Sequence, residues 1–249
     1  MKWFKYKTDD KCPKVMVILI TKDYVMKECL ESVNNQDYPL YSTLIHIKKP
    51  EYEDKDFLKQ QSINVAENRE YARKLALASD AKYFLIVDSD IVLPNNAITE
   101  FVKQITAKPF IYTKQMKRHI KSIGGKINKK KKHCLAGWYK RNEYDPNKKE
   151  KDVGETWCSC VFVADNTVNY FLHPQRSLIK ADLIGLGCCF ISRELLSKIK
   201  FRGELTHCIK DINNIELSLD ESGNFSNDIY KLGYDIFMNG DVICEHLKT

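Results

Sequence analysis

Asp88 and Asp90 stand one residue apart at the end of an apolar run, YFLIVDSDIVLP, at residues 83–94. On an extended segment, residues i and i+2 point the same way, so both carboxylates can face one ligand with Ser89 turned away. Two hard oxygen donors without a neighbouring His or Cys suit Mg2+ or Mn2+ rather than zinc. The competing reading of D-x-D is an exposed acidic loop. A second acidic pair, Asp220-Glu221, precedes a helical stretch. By itself such a pair reads as solvated and capping the helix.

The net charge of +7 is unevenly spread: residues 108–151 hold fifteen Lys and Arg against three Asp and Glu. The remainder of the chain is therefore acidic. With Trp138, Tyr139 and Tyr144 in it, the basic segment is compatible with nucleic-acid binding. Nucleic acid is not the expected partner, however, because Asp88 and Asp90 would repel phosphate unless a cation intervened. No zinc-finger, RNP-type or helix-turn-helix pattern appears. The nine cysteines lack paired C-x-x-C spacing and read as reduced core thiols. The minor alternative is zinc at His133, Cys134, His207 and Cys208. No apolar run approaches the roughly 20 residues of a membrane-spanning helix, and the first dozen residues lack the apolar stretch of a signal peptide. A cytoplasmic location is the default expectation.

The elements that must position these acids follow from periodicity. KVMVILI at residues 14–20 reads as a buried strand, and Val25, Met26, Cys29, Leu30 and Val33 have helical spacing with Asp23 as a candidate N-cap. A strand at 42–47, a helix at about 57–78 and the strand at 83–87 complete a β-α-β-α-β order, which predicts a largely parallel, two-side-covered sheet. A helix over 95–104 comes next. The Lys-rich stretch at about 108–151, with Gly124-Gly125 and no apolar period, reads as a long loop or lid. Beyond it the pattern predicts a strand at 156–164, strand or turn at 181–192, helices at 193–198 and about 224–232, and a last strand at 235–238. Gly233 is the expected C-terminal stop of the last helix. With no linker in sight, residues 1–249 are expected to form one domain.

The order of these features resembles the GT-A glycosyltransferases, particularly family 2 and its relatives. ILITKDYVMKECLESVNNQDYP has the Thr-containing turn and then Ser32, Gln36, Tyr38 and Pro39 in the family's positions. Asn68-Arg69-Glu70-Tyr71-Ala72-Arg73-Lys74 is similar to its N-x-x-x-A-R-N helix. DSDIVLP, ADLIGLGCCFISRELLSKI and LDESGNFSNDIYKLGYDIFMNGDVICEH follow in the family's order. The likeness spans about residues 14–246.

The resemblance implies an α/β fold of GT-A type: a Rossmann-like, mostly parallel mixed sheet flanked by helices. It implies a metal-dependent glycosyltransferase, hexosyl- or related, using a UDP-, GDP- or TDP-sugar. The acceptor would be a glycan, lipid or protein hydroxyl, and the anomeric centre would invert. Mn2+ or Mg2+ would be held by Asp88, Asp90 and His246, with Asp90 the more direct ligand. Thr21, Asp88, Asp90 and Arg73 would face the donor. Glu221 aligns with the Glu of the family's E-D pair and is the first candidate base, followed by Asp220 and Asp182. The lysines at 114–132 would meet donor diphosphate, an anionic acceptor or a membrane face, or else form a solvated loop, and Trp138 and Tyr139 would stack a sugar unless Trp138 anchors the loop on the core. HIKKPEYED stands where many members have D-D-G-S, which leaves the nucleobase unassigned, and Ser222 stands where the pair's Asp is expected. A sugar-phosphate nucleotidyltransferase is a nearer alternative than a nucleic-acid binder. Its G-x-G-x-R loop is replaced here by TKDYVMK.

Overall fold

The computed structural model describes residues 12–21, 24–47, 57–107, 132–139, 141–142, 155–156, 160–164, 167–170, 174, 178–204, 206–210 and 216–247. The candidate cap Asp23, the lid segment 114–131 and Tyr144 lie outside them. In chain order the strands are β1 (Val15–Thr21), β2 (Tyr41–Ile47), β3 (Tyr83–Asp88), β4 (Ile91–Val92), β5 (Cys134–Trp138), β6 (Arg141–Asn142), β7 (Glu155–Thr156) and β8 (Cys160–Ala164). Then come β9 (Thr167–Tyr170), β10 (Ile179–Ala181), β11 (Leu183–Ile184), β12 (Cys188–Ser192), β13 (Thr206–Lys210), β14 (Glu216–Leu219), β15 (Ile236–Ile243) and β16 (Glu245–His246). The helices are α1 (Lys27–Asn34), α2 (Phe57–Leu77), α3 (Ala97–Thr106), α4 (Arg193–Leu196) and α5 (Glu221–Lys231).

A seven-stranded sheet has the order β10-β15-β5-β12-β3-β1-β2. Strands β2, β1, β3, β5 and β15 share one direction, whereas β12 and β10 run against their neighbours. The sheet is thus mixed, as expected, but it is not mostly parallel: three of its six neighbouring pairs are parallel and three antiparallel, because β12 and β10 are inserted against the common direction. Alternation along β3 feeds two cores: Phe84 and Ile86 pack in one, Leu85 and Val87 in the other. Ala66, Ala72 and Ala76 of α2 and Phe225 and Ile229 of α5 belong to the first core, whereas Cys29 and Val33 of α1 and Ile98 and Phe101 of α3 belong to the second. Each large side chain so buried contributes about 1.5–3 kcal/mol. A second, five-stranded sheet has the order β11-β8-β9-β13-β14. Among the described residues, no helix is long and apolar enough to cross a membrane.

The expected loop at 108–151 needs correcting at its centre. Residues 134–138 form β5, fully buried between β12 and β15. Trp138 has no exposed surface and sits in the core, so it anchors the chain there and cannot stack a sugar. The predicted strand at 156–164 is divided into β7 and β8, and the last strand runs past Met238 to Ile243 through a register shift between Asn239 and Ile243. Gly233, at φ 77°, ends α5 as expected.

The cysteines behave as a core reading predicts. Among the described side chains Cys29, Cys134, Cys188, Cys189 and Cys244 are buried and none is bridged. Cys134 Sγ lies 3.7 Å from Cys189 Sγ, while His133 Nδ1 is 2.8 Å from Ser192 Oγ. Of the zinc alternative, the His207 and Cys208 side chains lie outside the described residues.

One arginine and one glycine fix α2 against the rest of the fold. Arg193 donates to the carbonyls of Ala81, Leu77 and Ser79 at 2.7, 2.9 and 2.5 Å, satisfying acceptors that the helix end leaves open. At the other flank Gly203 meets α2 so closely that an added Cβ would lie 2.3 Å from Ile63 Cα and 2.5 Å from Ser62 O. Both contacts are backbone and cannot rotate away. Gly203→Ala is therefore expected to destabilise the fold by an amount at the upper end of the roughly 1–3 kcal/mol typical of overpacking, read as a lower urea midpoint. An unchanged midpoint would mean that the 201–204 segment shifts freely.

Candidate active site

The five co-directional strands place their carboxyl ends along one edge, the usual location for ligands in open α/β sheets. Asp88 ends β3 there, in step with Phe84 and Ile86, and so faces the α2 and α5 layer. Its amide donates to Gly187 O at 3.0 Å. Ser89 and Asp90 turn before β4 begins. The extended geometry expected for D-S-D is thus broken by a turn, and the two carboxylates find different partners.

α1 holds this turn from behind. Met26 N donates to Ser89 O at 3.0 Å, and Cys29 Sγ approaches Asp88 O at 3.5 Å. Burial pushes the Cys29 thiol up to about 12, with the nearby Asp90 and Asp88 charges adding to it against a hydrogen bond from Ile91, so it stays a neutral donor. Ser32 and Gln36, two residues that carried the resemblance, serve the same purpose. Ser32 Oγ accepts from Leu93 N at 3.0 Å. The Gln36 amide donates to Pro94 O at 2.9 Å, and its oxygen accepts from Ile98 N at 3.1 Å, replacing the side-chain cap that α3 lacks. Tyr38 donates to Pro13 O at 2.6 Å.

Asp90 meets the chain's last strand. β16 pairs antiparallel with β4, His246 opposite Ile91, and Leu247 N donates to Asp90 O at 2.8 Å. This pairing brings His246 Nε2 to 3.1 Å from Asp90 Oδ2, both side chains being half-buried. The Tyr139 ring stands edge-on to His246 at 6.0 Å, and its hydroxyl accepts from Gly187 N at 3.2 Å. Burial, with the Asp88 charge, raises the phenol well above its ordinary range.

Asp88 instead meets α2. Arg69 Nη2 donates to Asp88 Oδ1 and Nη1 to Glu221 Oε2, so one guanidinium bridges the end of β3 and the start of α5. Arg69 and Glu221 are only 5% and 4% exposed. Burial alone would lower the Arg69 pKa, but the two carboxylates reverse this and hold it above its ordinary range. Glu221 moves up: burial is the largest cause, opposed by Arg69 and reinforced by Asp88 and Asp220. The direction follows from burial, which outweighs a guanidinium shared between two carboxylates. Arg69 Nε and Glu221 Oε1 are buried without a hydrogen-bond partner among the described residues.

The remaining candidates are distributed as follows. Asp220 is the N-cap of α5, its Oδ1 accepting from Ser222 N at 3.0 Å, Gly223 N at 3.1 Å and Ser222 Oγ at 2.7 Å. Thr21 is buried at the end of β1 and its hydroxyl donates to Tyr24 O. Arg73 is directed away from Asp88: it pairs with Glu70 at 2.7 Å and donates to Leu196 O at 3.2 Å. Arg69, one helical turn earlier, is the arginine of α2 that reaches Asp88. Asp182 follows Ala181, whose register row runs through Ile236, Cys134 and Ile191 to Phe84. Ala181 is thus four strands away from β3, on the order of 20 Å by strand spacing, in a row that meets β3 at Phe84 rather than at Asp88. Asp182 is therefore not brought to the other acids. The expected Asp88, Asp90 and His246 triad is drawn together only in part, Asp90 with His246. Among the described residues no group of three or more His, Cys, Asp or Glu is gathered closely enough to hold a metal.

No family model matches the sequence, and no curated protein does. Solved structures do. A197 from STIV is similar over 95% of this chain and 86% of its own, at 16% identity and TM-score 0.50. TarS of S. aureus aligns with 94% of this chain and 37% of its own, at 13% identity and TM-score 0.45. GalNAc-T7, crystallised with UDP, GalNAc and Mn2+, aligns with 96% of this chain and 45% of its own, at 11% identity and TM-score 0.51. The chain thus spans less than half the length of the last two. The mixed seven-stranded sheet flanked by helices is an α/β fold of GT-A type.

Proposed function

We propose that this chain is a glycosyltransferase that moves a sugar from a nucleoside-diphosphate donor to an acceptor hydroxyl with inversion. The observation that carries the reading is the gathering of acids at one sheet edge: Asp90 against His246, and Asp88 tied through Arg69 to Glu221. The likeness in fold to a protein whose structure contains UDP, GalNAc and Mn2+ supports it.

A divalent cation fits the chemistry of the Asp90–His246 pair, a hard carboxylate and an imidazole already 3.1 Å apart at the sheet edge. Asp90 and His246 would hold it, with Asp88 beside them. When bound, such an ion supplies Lewis-acid stabilisation of charge growing on the departing diphosphate. The turn at 88–91, pinned by α1 and β16, fixes where those phosphates sit. Glu221 is the base: Arg69 occupies Oε2, which leaves Oε1 to take the proton of the attacking hydroxyl. Attack from the face opposite the diphosphate inverts the anomeric centre.

Calorimetry with UDP, GDP and TDP, each with Mn2+ and again with chelator, tests the reading. One nucleotide is expected to bind only with the metal, and its sugar derivatives to be hydrolysed or transferred. Absence of metal-dependent binding by all three would remove the proposal.

A further inference from the structure

We infer that Arg69 is a positioning residue of this reaction, locking the Asp88 carboxylate at the donor end of β3 and the Glu221 carboxylate at the start of α5 into one unit. The inference rests on the glycosyltransferase reading and deepens it. Arg69 is separated from Glu221 by 152 residues of sequence, and each of its terminal nitrogens is committed to a different carboxylate. A planar guanidinium presents its donors in a fixed fork, which orients both acids at once; a lysine ammonium cannot do this. A tie made only for stability would be better built from apolar groups, because burying charges is costly unless every atom is paired. Here the cluster holds two carboxylates for one cation, and Arg69 Nε and Glu221 Oε1 are buried without a partner among the described residues. Arg73 shows the contrast on the same helix: its pair with Glu70 and its bond to Leu196 O fasten the fold and touch neither acid.

The test is a kinetic cycle on the whole chain with the donor identified by calorimetry. Arg69→Lys keeps the charge but cannot hold both carboxylates, and turnover should fall about 10²-fold while the acceptor KM stays within about threefold. Glu221→Gln added to Arg69→Lys should slow the enzyme less than about threefold further, since Glu221 is already misplaced. Should Arg69→Lys not fold, the same coupling is read with Arg69 intact. Asp88→Asn and Glu221→Gln should then be non-additive in kcat, because Asp88 bears on the position of Glu221 through one guanidinium. Multiplicative effects in whichever cycle is measured, or Arg69→Lys turning over within threefold of wild type, would overturn the inference while leaving the transferase reading in place. A wild-type chain that neither transfers nor hydrolyses any donor would remove that reading, and the inference with it.

Discussion

Asp90→Ala is expected to fold normally and to lose metal-dependent nucleotide binding. Asp90 lies in the turn beyond β3, half-exposed, and its side chain contributes nothing to either core. Its backbone carbonyl still accepts from Leu247 N, so β16 stays docked on β4. The variant therefore removes one hard oxygen and leaves His246 without its anchor. Loss of an outer partner of a metal ligand typically costs 10–100-fold in affinity, and loss of the ligand itself should exceed about 100-fold. The measurement is calorimetric titration of the preferred nucleoside diphosphate with Mn2+, with circular dichroism and the urea midpoint as folding controls. Equal affinity in wild type and variant would place the cation elsewhere.

Glu221→Gln should lower turnover by about 10²–10⁴-fold while donor affinity stays nearly unchanged. The amide matches the carboxylate in size and can still accept from Arg69, but it cannot take a proton. Asp220→Asn supplies the comparison. Asn is as good an N-cap as Asp, so α5 keeps its start and only the charge is lost; turnover should change little. A large loss in Asp220→Asn beside a near-normal Glu221→Gln would move the base one residue back. The pH profile adds a separate check. Burial raises the Glu221 carboxyl, and a base must be ionised to act. Transfer should therefore still be rising with pH above the ordinary glutamate range, and the Gln variant should lack that limb.

Much of this arrangement can be read from the residues alone. β1, β3 and α3 follow from uninterrupted apolar period, and the Ser32 and Gln36 positions that marked the first helix are the ones that brace the 88–98 segment. The failures have local causes. β5 is five buried residues flanked by lysines and arginine, too short to show a period and easily taken for part of a basic loop. Asn239 and Asp241 look like the end of a strand, yet β15 carries them through its register shift. Asp88 and Asp90 find different partners because the chain turns between them, and i, i+2 reasoning holds only for extended backbone. Arg69 and Arg73 are one turn apart on α2, and helical periodicity cannot say which of them reaches β3. Only the level at which α2 crosses the sheet decides that, and it is set by tertiary contacts such as Arg193 and Gly203.

The β16–β4 pairing makes the site a product of late assembly. Asp90 and His246 are 156 residues apart, so their meeting closes a loop that holds most of the chain. Closing so large a loop is entropically slow compared with forming the β1-β2-β3 unit and its helices. A chain that has acquired its first three parallel strands already owns a core and both aspartates, but has no histidine beside them. On the proposed transferase reading, competence then follows closure of the β16–β4 pair rather than formation of the first three strands.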